Sequence, residues 1–515
     1  MLGDIFAAFL SASPVSVMFR ATLERILSPQ KMDMLFGRAA TRQREGELLF
    51  SSCVDLMALV VAKVHKSVHM AYQARAEQFQ VSVRSVYNKL AGIEPEVSEC
   101  LVAATAAELA AIMRQMKVRL PKLLVNYDVR VLDGNHLAGT DHRLKELRGL
   151  GAAALPGLGL CVFNPQSQLI EDVVACEDGH TNERSLIDRV LPKVVDGQCW
   201  VADRNFCVFS LLFGIAQRSA FFVVRHHPQV VGELVGNRKR VGRVPGGILY
   251  QQILSLSRSN GDVLNVRRVT IALDRPTRFG ESELHLLTNL PRDVSAVRIA
   301  RVYRDRWSIE TAFMHLATVL HSEVNTLAYP DAALFGFCIG LLLYNVLTCL
   351  QQAVRAAHRT QLKGHELSLY KLGDEISGIY RGMMIAIPPA NWTTAYAAQS
   401  VPEFAKQLLA MASRVETARF LTHPRSQNKP PTKKQSGHRG NHVSTQRILE
   451  QRTTNNEQQK ASFKTLGVSP WRDREERSSP KGAAATVAPL GLLILVDALF
   501  QRLTPLAIDE RPHWG

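Results

Sequence analysis

Three acidic residues, Asp133, Asp203 and Glu310, occur where carboxylates could act together. Asp133 ends the apolar run in "YDVRVLD", and Asp203 ends the apolar run in "CWVAD". Glu310 ends "RVYRDRWSIE", residues 301–310, in which arginine occurs three times. Converging carboxylates can hold two Mg²⁺ or Mn²⁺ ions about 3.5 to 4 Å apart, which activate an attacking hydroxyl and stabilise a leaving oxygen. These residue types therefore indicate metal-assisted transfer at a phosphodiester.

Arg306 lies four residues before Glu310, and its planar guanidinium can bind a phosphate oxygen. A continuous helix from about residue 297, with about 100° per residue, places Tyr303, Arg306 and Glu310 in one arc beside an apolar stripe. The alternative is a surface ion pair between Arg306 and Glu310, which would contribute only about 0.3 to 0.5 kcal/mol. The two aspartates at strand ends favour an active site over this alternative.

The elements that would position Asp133 and Asp203 are predicted from residue 125 onward. Apolar and β-branched runs predict three strands, a helix begins near Thr181, and a fourth strand stops at Asp203. This is the opening order of a ribonuclease-H-like domain, in which the first and fourth strands lie side by side. Asp133 and Asp203 are therefore predicted to be neighbours, although 70 residues separate them.

Residues 1–120 are predicted to form an all-helical N-terminal domain, because apolar residues recur at three- and four-residue spacing. Its segment "FQVSVRSVYNKLAGIE", residues 79–94, would place Arg84, Tyr87 and Lys89 on one short helix. This pattern is typical of a small DNA-binding unit, and an ordinary surface helix explains it nearly as well.

The remaining chain is predicted to contain an α/β, ribonuclease-H-like catalytic domain, a mixed sheet flanked by helices, which a β-rich insertion interrupts. A helical end, a basic low-complexity tail and an unassigned segment follow it. The predicted ranges are 121–206 for the first part of the catalytic domain, 207–297 for the insertion, 298–400 for the second part with the Glu310 helix, 401–482 for the helical end and tail, and 483–515 for the unassigned segment.

The charge balance favours a polyanionic partner. The chain has 62 Lys and Arg residues against 46 Asp and Glu residues, a net charge of +16. Residues 423–482 carry 13 basic and 5 acidic residues, a net charge of +8, and their polar composition predicts disorder. This tail could bind DNA without sequence preference, or it could only aid solvation.

The motifs "VLDGNHL", "VADRNF" and "YRDRWSIETAF" resemble those of the DDE transposases of bacterial insertion sequences, and most closely transposase family 11, the IS-four type. The resemblance covers about residues 120–380. It implies that Asp133, Asp203 and Glu310 form a catalytic triad that binds two Mg²⁺ or Mn²⁺ ions. It further implies that Tyr303 and Arg306 contact DNA. The implied partner is double-stranded DNA, both element ends and target, bound by a homodimer in the bacterial cytoplasm at the nucleoid.

Two departures from the family pattern leave alternatives open. Ala317 stands where the signature has a lysine, and the predicted insertion has no tryptophan that could stack on a flipped base. The sequence thus predicts a transposase that cleaves and joins DNA. The alternative is a catalytically impaired relative that binds element ends as a regulator.

A membrane protein is a third possibility, because no charged residue occurs between Asp331 and Arg355. The strongly apolar part of this stretch is short, and its last third contains Asn345 and two glutamines. A buried core helix is therefore predicted, with no membrane partner. The eight cysteines form no C-x-x-C pair, which argues against a zinc site or a disulfide framework and favours a reducing compartment.

Overall fold

The structure, a computed structural model, has a large mixed sheet flanked by helices and a helical region at the N-terminus. This α/β architecture is the one predicted. Predictions for residues 483–515 and for most of the 423–482 tail lie outside the described residues. The described residues are 3–43, 46–118, 122–277, 280–422 and 442–454.

Seven helices form the described N-terminal region, and their ends follow from local sequence. Proline occupies the first turn of α2, α3 and α7, where no backbone N–H is needed. The side chains of Ser67 and Ser82 accept hydrogen bonds from the first turns of α5 and α6. The helices are α1 (Asp4–Ala12), α2 (Pro14–Ile26), α3 (Pro29–Ala39), α4 (Phe50–Val61), α5 (Val68–Gln73), α6 (Val83–Leu90) and α7 (Pro95–Gln115).

Nine strands of the described chain form the main sheet, in the order β4-β3-β1-β5-β6-β10-β9-β8-β7. Two further short strands, β2 and β11, pair with each other in parallel. The strands are β1 (Asp128–His136), β2 (Ala153–Leu155), β3 (Leu158–Asn164), β4 (Leu169–Cys176), β5 (Gln198–Ala202), β6 (Phe221–Arg225), β7 (Glu233–Val244), β8 (Gly247–Ser257), β9 (Val263–Leu273), β10 (Glu283–Thr288) and β11 (His442–Ser444).

The first five strands of this sheet have an order consistent with a ribonuclease-H-like domain. Strand β1 is antiparallel to β3 and parallel to β5, and β6 is parallel to β5. In the register of β1 and β5, Leu132 faces Ala202. The residues that follow them, Asp133 and Asp203, are therefore next to each other, which is the arrangement expected from the strand order.

The β-rich stretch predicted at 207–297 extends the main sheet, and its described residues form no separate sheet. Strand β10 is antiparallel to β6, and β9, β8 and β7 follow it outward. Strand β6 itself falls within the predicted insertion and is hydrogen-bonded to β5. The outermost strand, β7, is exposed along almost its whole length.

Eight more helices complete the described fold. Short 3₁₀ turns at Glu183–Leu186 and Arg204–Phe206 lie at either end of the α8 to β5 segment. The helices are α8 (Ile187–Val190), α9 (Phe209–Gln217), α10 (Ala296–Asp305), α11 (Ser308–Thr318), α12 (Pro330–Ala357), α13 (Leu369–Ala386), α14 (Pro389–Trp392) and α15 (Val401–Ala412).

The prediction of one continuous helix through Glu310 is wrong, because α10 ends at Asp305 and α11 begins at Ser308. At the break, the backbone N–H groups of Arg306 and Trp307 donate to carbonyls three residues earlier rather than four. This tighter winding interrupts the α-helical ladder for about half a turn. Arg306 therefore lies at a junction between two helices.

Helix α12 is the core helix predicted from the sequence. It is long and apolar enough to cross a membrane, but its most apolar stretch is completely buried inside the protein. Asn345, in its middle, is hydrogen-bonded through its side chain to the backbone N–H and carbonyl of Ile170 in β4. Among the described helices, α1 and α2 would pass the same test only as one span bent by 115°.

Part of the tail predicted to be disordered is folded. Residues 442–454 form β11 and a following helical segment, and β11 pairs with β2. Val443 and Leu449 pack against a small buried cluster that includes Leu147. Arg447 also donates to Asp178, with 2.6 Å between Nε and Oδ2. The prediction of disorder is wrong for this segment, because it rested on overall polar composition and did not weigh single apolar residues such as Val443 and Leu449.

Candidate active site

Asp133 and Asp203 lie next to each other where the parallel pairing of β1 with β5 ends. The predicted strand end at Asp133 is not observed, since β1 continues to His136. Asp203 follows β5 directly and caps the next 3₁₀ turn, where its Oδ1 accepts a hydrogen bond of 2.7 Å from the backbone N–H of Asn205. The fold therefore holds both carboxylates on backbone that is fixed by the sheet.

Arg306 connects the third predicted ligand to this pair. Its Nη1 donates to Asp133 Oδ2 at 2.6 Å, and its Nη2 donates to Glu310 Oε1 at 2.9 Å. The Arg306 side chain is only 10% exposed, so the ion pair with Glu310 is not the solvated surface pair that the sequence left open. The structure thus brings Asp133, Asp203, Arg306 and Glu310 into one cluster.

The carboxylates of this cluster carry more negative charge than Arg306 offsets. Burial raises the pKa of Asp133 to about 7, although the Arg306 guanidinium opposes this shift. The neighbouring carboxylates of Asp203, Glu310 and Glu183 raise it further. Closely spaced acidic groups in a buried setting are expected where a site binds a cation.

The chemistry of these side chains fits a divalent cation. Carboxylate oxygens are the hard ligands that Mg²⁺ and Mn²⁺ prefer, and the local charge is favourable. Within the described residues, however, no group of three or more His, Cys, Asp or Glu side chains is arranged to hold a metal ion. The guanidinium of Arg306 separates Asp133 from Glu310, so ligation by both requires Arg306 to leave this position.

Tyr303 and Arg306, the residues predicted to contact DNA, are both buried, each with 8% of its surface exposed. Burial raises the pKa of Tyr303 to about 12. The buried Nε of Arg306 has no hydrogen-bond partner among the described residues. Their contact with DNA remains a prediction, and the unused donor of Arg306 is suited to an anionic oxygen.

Ala317, which replaces the signature lysine, lies exposed in the last turn of α11. A lysine at this position would reach solvent and any DNA in front of the helix. His315 is partly buried, and its ring lies 6.4 Å from that of Tyr344 in a stacked orientation. His315 therefore does not replace the lysine.

Two residues near the cluster were missed from the sequence, Glu183 and Asn205. The sequence indicates only a helix start in this region, and the structure places Glu183 in a 3₁₀ turn that Asn182 caps. Its carboxylate approaches Gly134, the residue after Asp133. A glycine directly after a proposed ligand was the one available signal, because it indicates close approach of another group.

Residues 126–346 match the family model described as the transposase DDE domain. The matched segment begins just before β1, ends within α12, and contains Asp133, Asp203, Arg306 and Glu310. The match supports a DDE transposase and suggests transposase activity, with DNA as the implied substrate. DDE transposases generally use divalent metal ions. No curated protein matches the chain.

Proposed function

We propose that the chain is a transposase of the IS-four type that binds the ends of its insertion sequence, cleaves the DNA and joins it to a target. One observation carries this proposal: Asp133 in β1 lies next to Asp203, which follows β5, and Arg306 pairs with both Asp133 and Glu310 within the matched segment. Such a cluster suits phosphoryl transfer, in which catalysis consists mainly of positioning and charge stabilisation.

Asp133, Asp203 and Glu310 would hold two Mg²⁺ or Mn²⁺ ions. When bound, such ions lower the pKa of an attacking water or 3′-hydroxyl and stabilise the leaving oxygen. The backbone N–H of Asn205 orients the Asp203 carboxylate for this role. Asp133, whose pKa is about 7, must lose its proton before both of its oxygens can act as ligands.

Arg306 has two roles in this proposal. Without metal, its guanidinium offsets the charges of Asp133 and Glu310. If divalent cations held these carboxylates, the planar fork of Arg306 would be free to bind phosphate oxygens beside the cleaved bond. Its burial at the junction of α10 and α11 keeps it within reach of both partners.

Basic surfaces away from the cluster would supply most of the DNA affinity. The exposed strand β7 contains Arg238, Lys239, Arg240 and Arg243. Helix α6 exposes Arg84 and lies in the N-terminal region that we propose binds DNA. A homodimer would hold two element ends together, and the bacterial cytoplasm, at the nucleoid, is the proposed location.

An end-binding regulator without cleavage activity is the second candidate function. The exposed alanine at position 317 favours it, because the chain lacks the lysine that the family signature places there. The intact cluster of Asp133, Asp203 and Glu310 favours the active enzyme. The two functions differ in one property, which is Mg²⁺-dependent strand cleavage.

Strand cleavage by the purified full chain tests the proposal, with DNA that carries the flanks of its own gene as substrate. We expect Glu310→Ala to reduce cleavage by more than roughly 100-fold. Mutation of a residue that only orients a metal ligand typically costs at most about 100-fold, and loss of a ligand itself should cost more. DNA binding should persist, because basic residues elsewhere carry it. Cleavage by Glu310→Ala at the wild-type rate would contradict the proposal, and binding without cleavage by the wild type would identify the regulator.

Glu323→Gln is the matched control for this experiment. Glu323 is another half-buried carboxylate near β1, and it accepts hydrogen bonds from the backbone N–H of Ala138 and from Asn135 Nδ2. Burial raises its pKa, and no residue of the proposed triad contributes to that shift. The control variant should therefore cleave at the wild-type rate.

A further inference from the structure

Helix α13 is attached to the fold by one of its faces. Arg20 of α2 donates to Tyr380 Oη of this helix at 3.1 Å, and α13 packs against α2 and α12. The buried residues recur at three- and four-residue spacing, which defines a single buried stripe. They include Leu372, Ile376, Tyr380 and Met383. The opposite side of α13 carries exposed residues from one end of the helix to the other.

The exposed face of α13 combines large apolar side chains with opposite charges. Tyr370 and Ile385, near the two ends of the helix, are 58% and 79% exposed. Asp374 and Arg381 lie between them and are also exposed. Within the described part of the chain, neither of these two charged side chains takes part in a salt bridge, whereas the neighbouring Glu375 is paired with an arginine of the fold. The charges and apolar side chains of this face are therefore available to another molecule.

The residues of this face are arranged symmetrically about the middle of the helix, at 377–378. Asp374 and Arg381 lie on either side of that midpoint, each about 5 Å from it along the helix axis. Tyr370 and Ile385 lie about 11 Å from it, again on either side. With about 100° per residue, the two charged residues fall within about 20° of one line along the helix. The two apolar residues lie about 30° to opposite sides of that line.

Such an arrangement is complementary to itself across a two-fold axis. If the α13 of a second copy lies antiparallel on this face, Asp374 of each copy is opposite Arg381 of the other. Tyr370 of each copy is then opposite Ile385 of the other. At the crossing point, a Cβ atom at Gly378 would meet no other atom within 4 Å, so the two helix backbones have room to approach closely.

We propose that the exposed face of α13 is a homodimer interface, on which a second copy of this chain binds antiparallel across a two-fold axis. The inference rests on the proposed function in that it names the surface of the homodimer that would hold two element ends. DNA is a poorer partner for this face, because Asp374 lies on the same line as Arg381 and would repel phosphates. A single helix pair is a small interface, which suits a weak dimer that bound DNA would strengthen.

Sedimentation equilibrium of the full chain, without DNA or divalent ions, tests this surface. We expect the wild type to dimerise at protein concentrations up to roughly 100 µM, which covers weak specific interfaces. Asp374→Arg and Arg381→Asp should each weaken dimerisation by roughly 10-fold or more, because each substitution turns two symmetric attractions into repulsions. The double variant with both substitutions exchanges the charges and restores opposite pairs, so its dimerisation should recover.

Two further variants separate the interface from general effects of charge and folding. Gly378→Leu should melt at or above the wild-type temperature, since leucine favours a helix more than glycine and its Cβ has open space. Its larger side chain should nevertheless weaken dimerisation by blocking close approach. Lys406→Asp, at an exposed position of α15, is the matched control, because it changes the net charge as Arg381→Asp does. This control should dimerise like the wild type.

Two results would overturn the proposal. One is a wild type that stays monomeric over this concentration range, which would leave the face to a different partner. The other is a dimer that neither single charge reversal weakens, or that the double variant does not recover, which would place the interface elsewhere. Failure of the proposed function shows instead in the cleavage assay of Glu310→Ala, so the two failures can be told apart.

Discussion

Arg306 is the residue on which the charge balance of the proposed site depends. It is buried between Asp133 and Glu310 and donates to both. Removal of one partner from a buried ion pair is costly, because the remaining charge keeps its desolvation penalty without its compensation. Arg306 thus acts as an internal cation between the two carboxylates.

Arg306→Ala should therefore destabilise the metal-free protein by roughly 3–5 kcal/mol in chemical denaturation. Mn²⁺ should raise the melting temperature of this variant more than that of the wild type, because the ion enters without displacing the guanidinium. Arg243→Ala is the control, since its pair with Asp274 is exposed and contributes only about 0–1 kcal/mol. An equal response to Mn²⁺ in Arg306→Ala and wild type would exclude competition between Arg306 and the metal.

Only one part of the candidate site could be predicted from the sequence. The predicted strand order is enough to place Asp133 next to Asp203. Asp133 and Asp203 follow apolar runs, and parallel pairing of β1 with β5 places them together. Glu183 could not be predicted in this way. Its position depends on Gly134 and Asn205, and no local pattern reports contacts between three separate elements.

At the scale of elements, the break between α10 and α11 shows the limit of helical periodicity. Arg306 has φ −51° and ψ −35°, and Trp307 has φ −56° and ψ −16°, which are close to helical values. Only the spacing of the backbone hydrogen bonds changes, since each N–H donates to the carbonyl three residues earlier instead of four. Apolar spacing predicts that both segments are helical, but it does not predict the break between them, because it is nearly insensitive to such a shift.

The prediction of a β-rich insertion at 207–297 did not specify that β8, β9 and β10 join the main sheet. Alternating residues specify which face of a strand is buried, whereas its partner is decided by tertiary contacts. In the structure, β10 pairs with β6 and β9 pairs with β10, which continues the sheet outward. Polar side chains also contact each other across the strands of this extension.

His285 in β10 is central to these contacts. Its ring nitrogens lie 2.9 Å from Thr270 Oγ1 and 3.0 Å from Arg268 Nη2. Burial lowers the pKa of His285 to about 4, and Arg268 and His226 lower it as well, while Glu283 opposes them. Because the folded-state pKa is depressed, the neutral ring stabilises the fold above about pH 6.5, and this contribution is lost as pH falls toward 4.

His285→Gln should reduce the pH dependence of stability, because glutamine takes up no proton. Between pH 7 and pH 4.5, the wild type should lose roughly 1–3 kcal/mol more unfolding free energy than the variant. Urea denaturation at both pH values measures the difference. His365→Gln, at an exposed position, should follow the wild-type curve. Parallel curves for His285→Gln and wild type would contradict the assignment.

At the scale of the whole molecule, two features matter. A buried helical core joins the parts of the fold, and a surplus of positive charge is available for DNA binding. Helix α12 packs against α4, α7, α15 and β4 and thereby joins the N-terminal helices to the sheet. Much of the surplus lies outside the described residues, where the sequence alone defines it. Residues 423–482 contribute +8 of the net charge of +16.

Replacement of Lys429, Lys433, Lys434 and Arg439 by glutamine should weaken non-specific DNA binding. The plot of log K against log[salt] should become less steep, by up to about 0.9 for each phosphate that the variant no longer neutralises. Deletion of residues 455–515 is the control, because these carry 8 basic and 7 acidic residues and hence a net charge of only +1. If the four substitutions leave the salt slope unchanged, the tail does not contact DNA.

The most direct test of the central claim is the location of Mn²⁺ by anomalous diffraction in crystals of the full chain bound to its element-end DNA. We predict two ions about 3.5 to 4 Å apart, ligated by Asp133, Asp203 and Glu310, with Arg306 turned from the carboxylates to a phosphate. An ion pair of Arg306 with Asp133 and Glu310 that persists in the complex, with no Mn²⁺ at these carboxylates, would contradict the account.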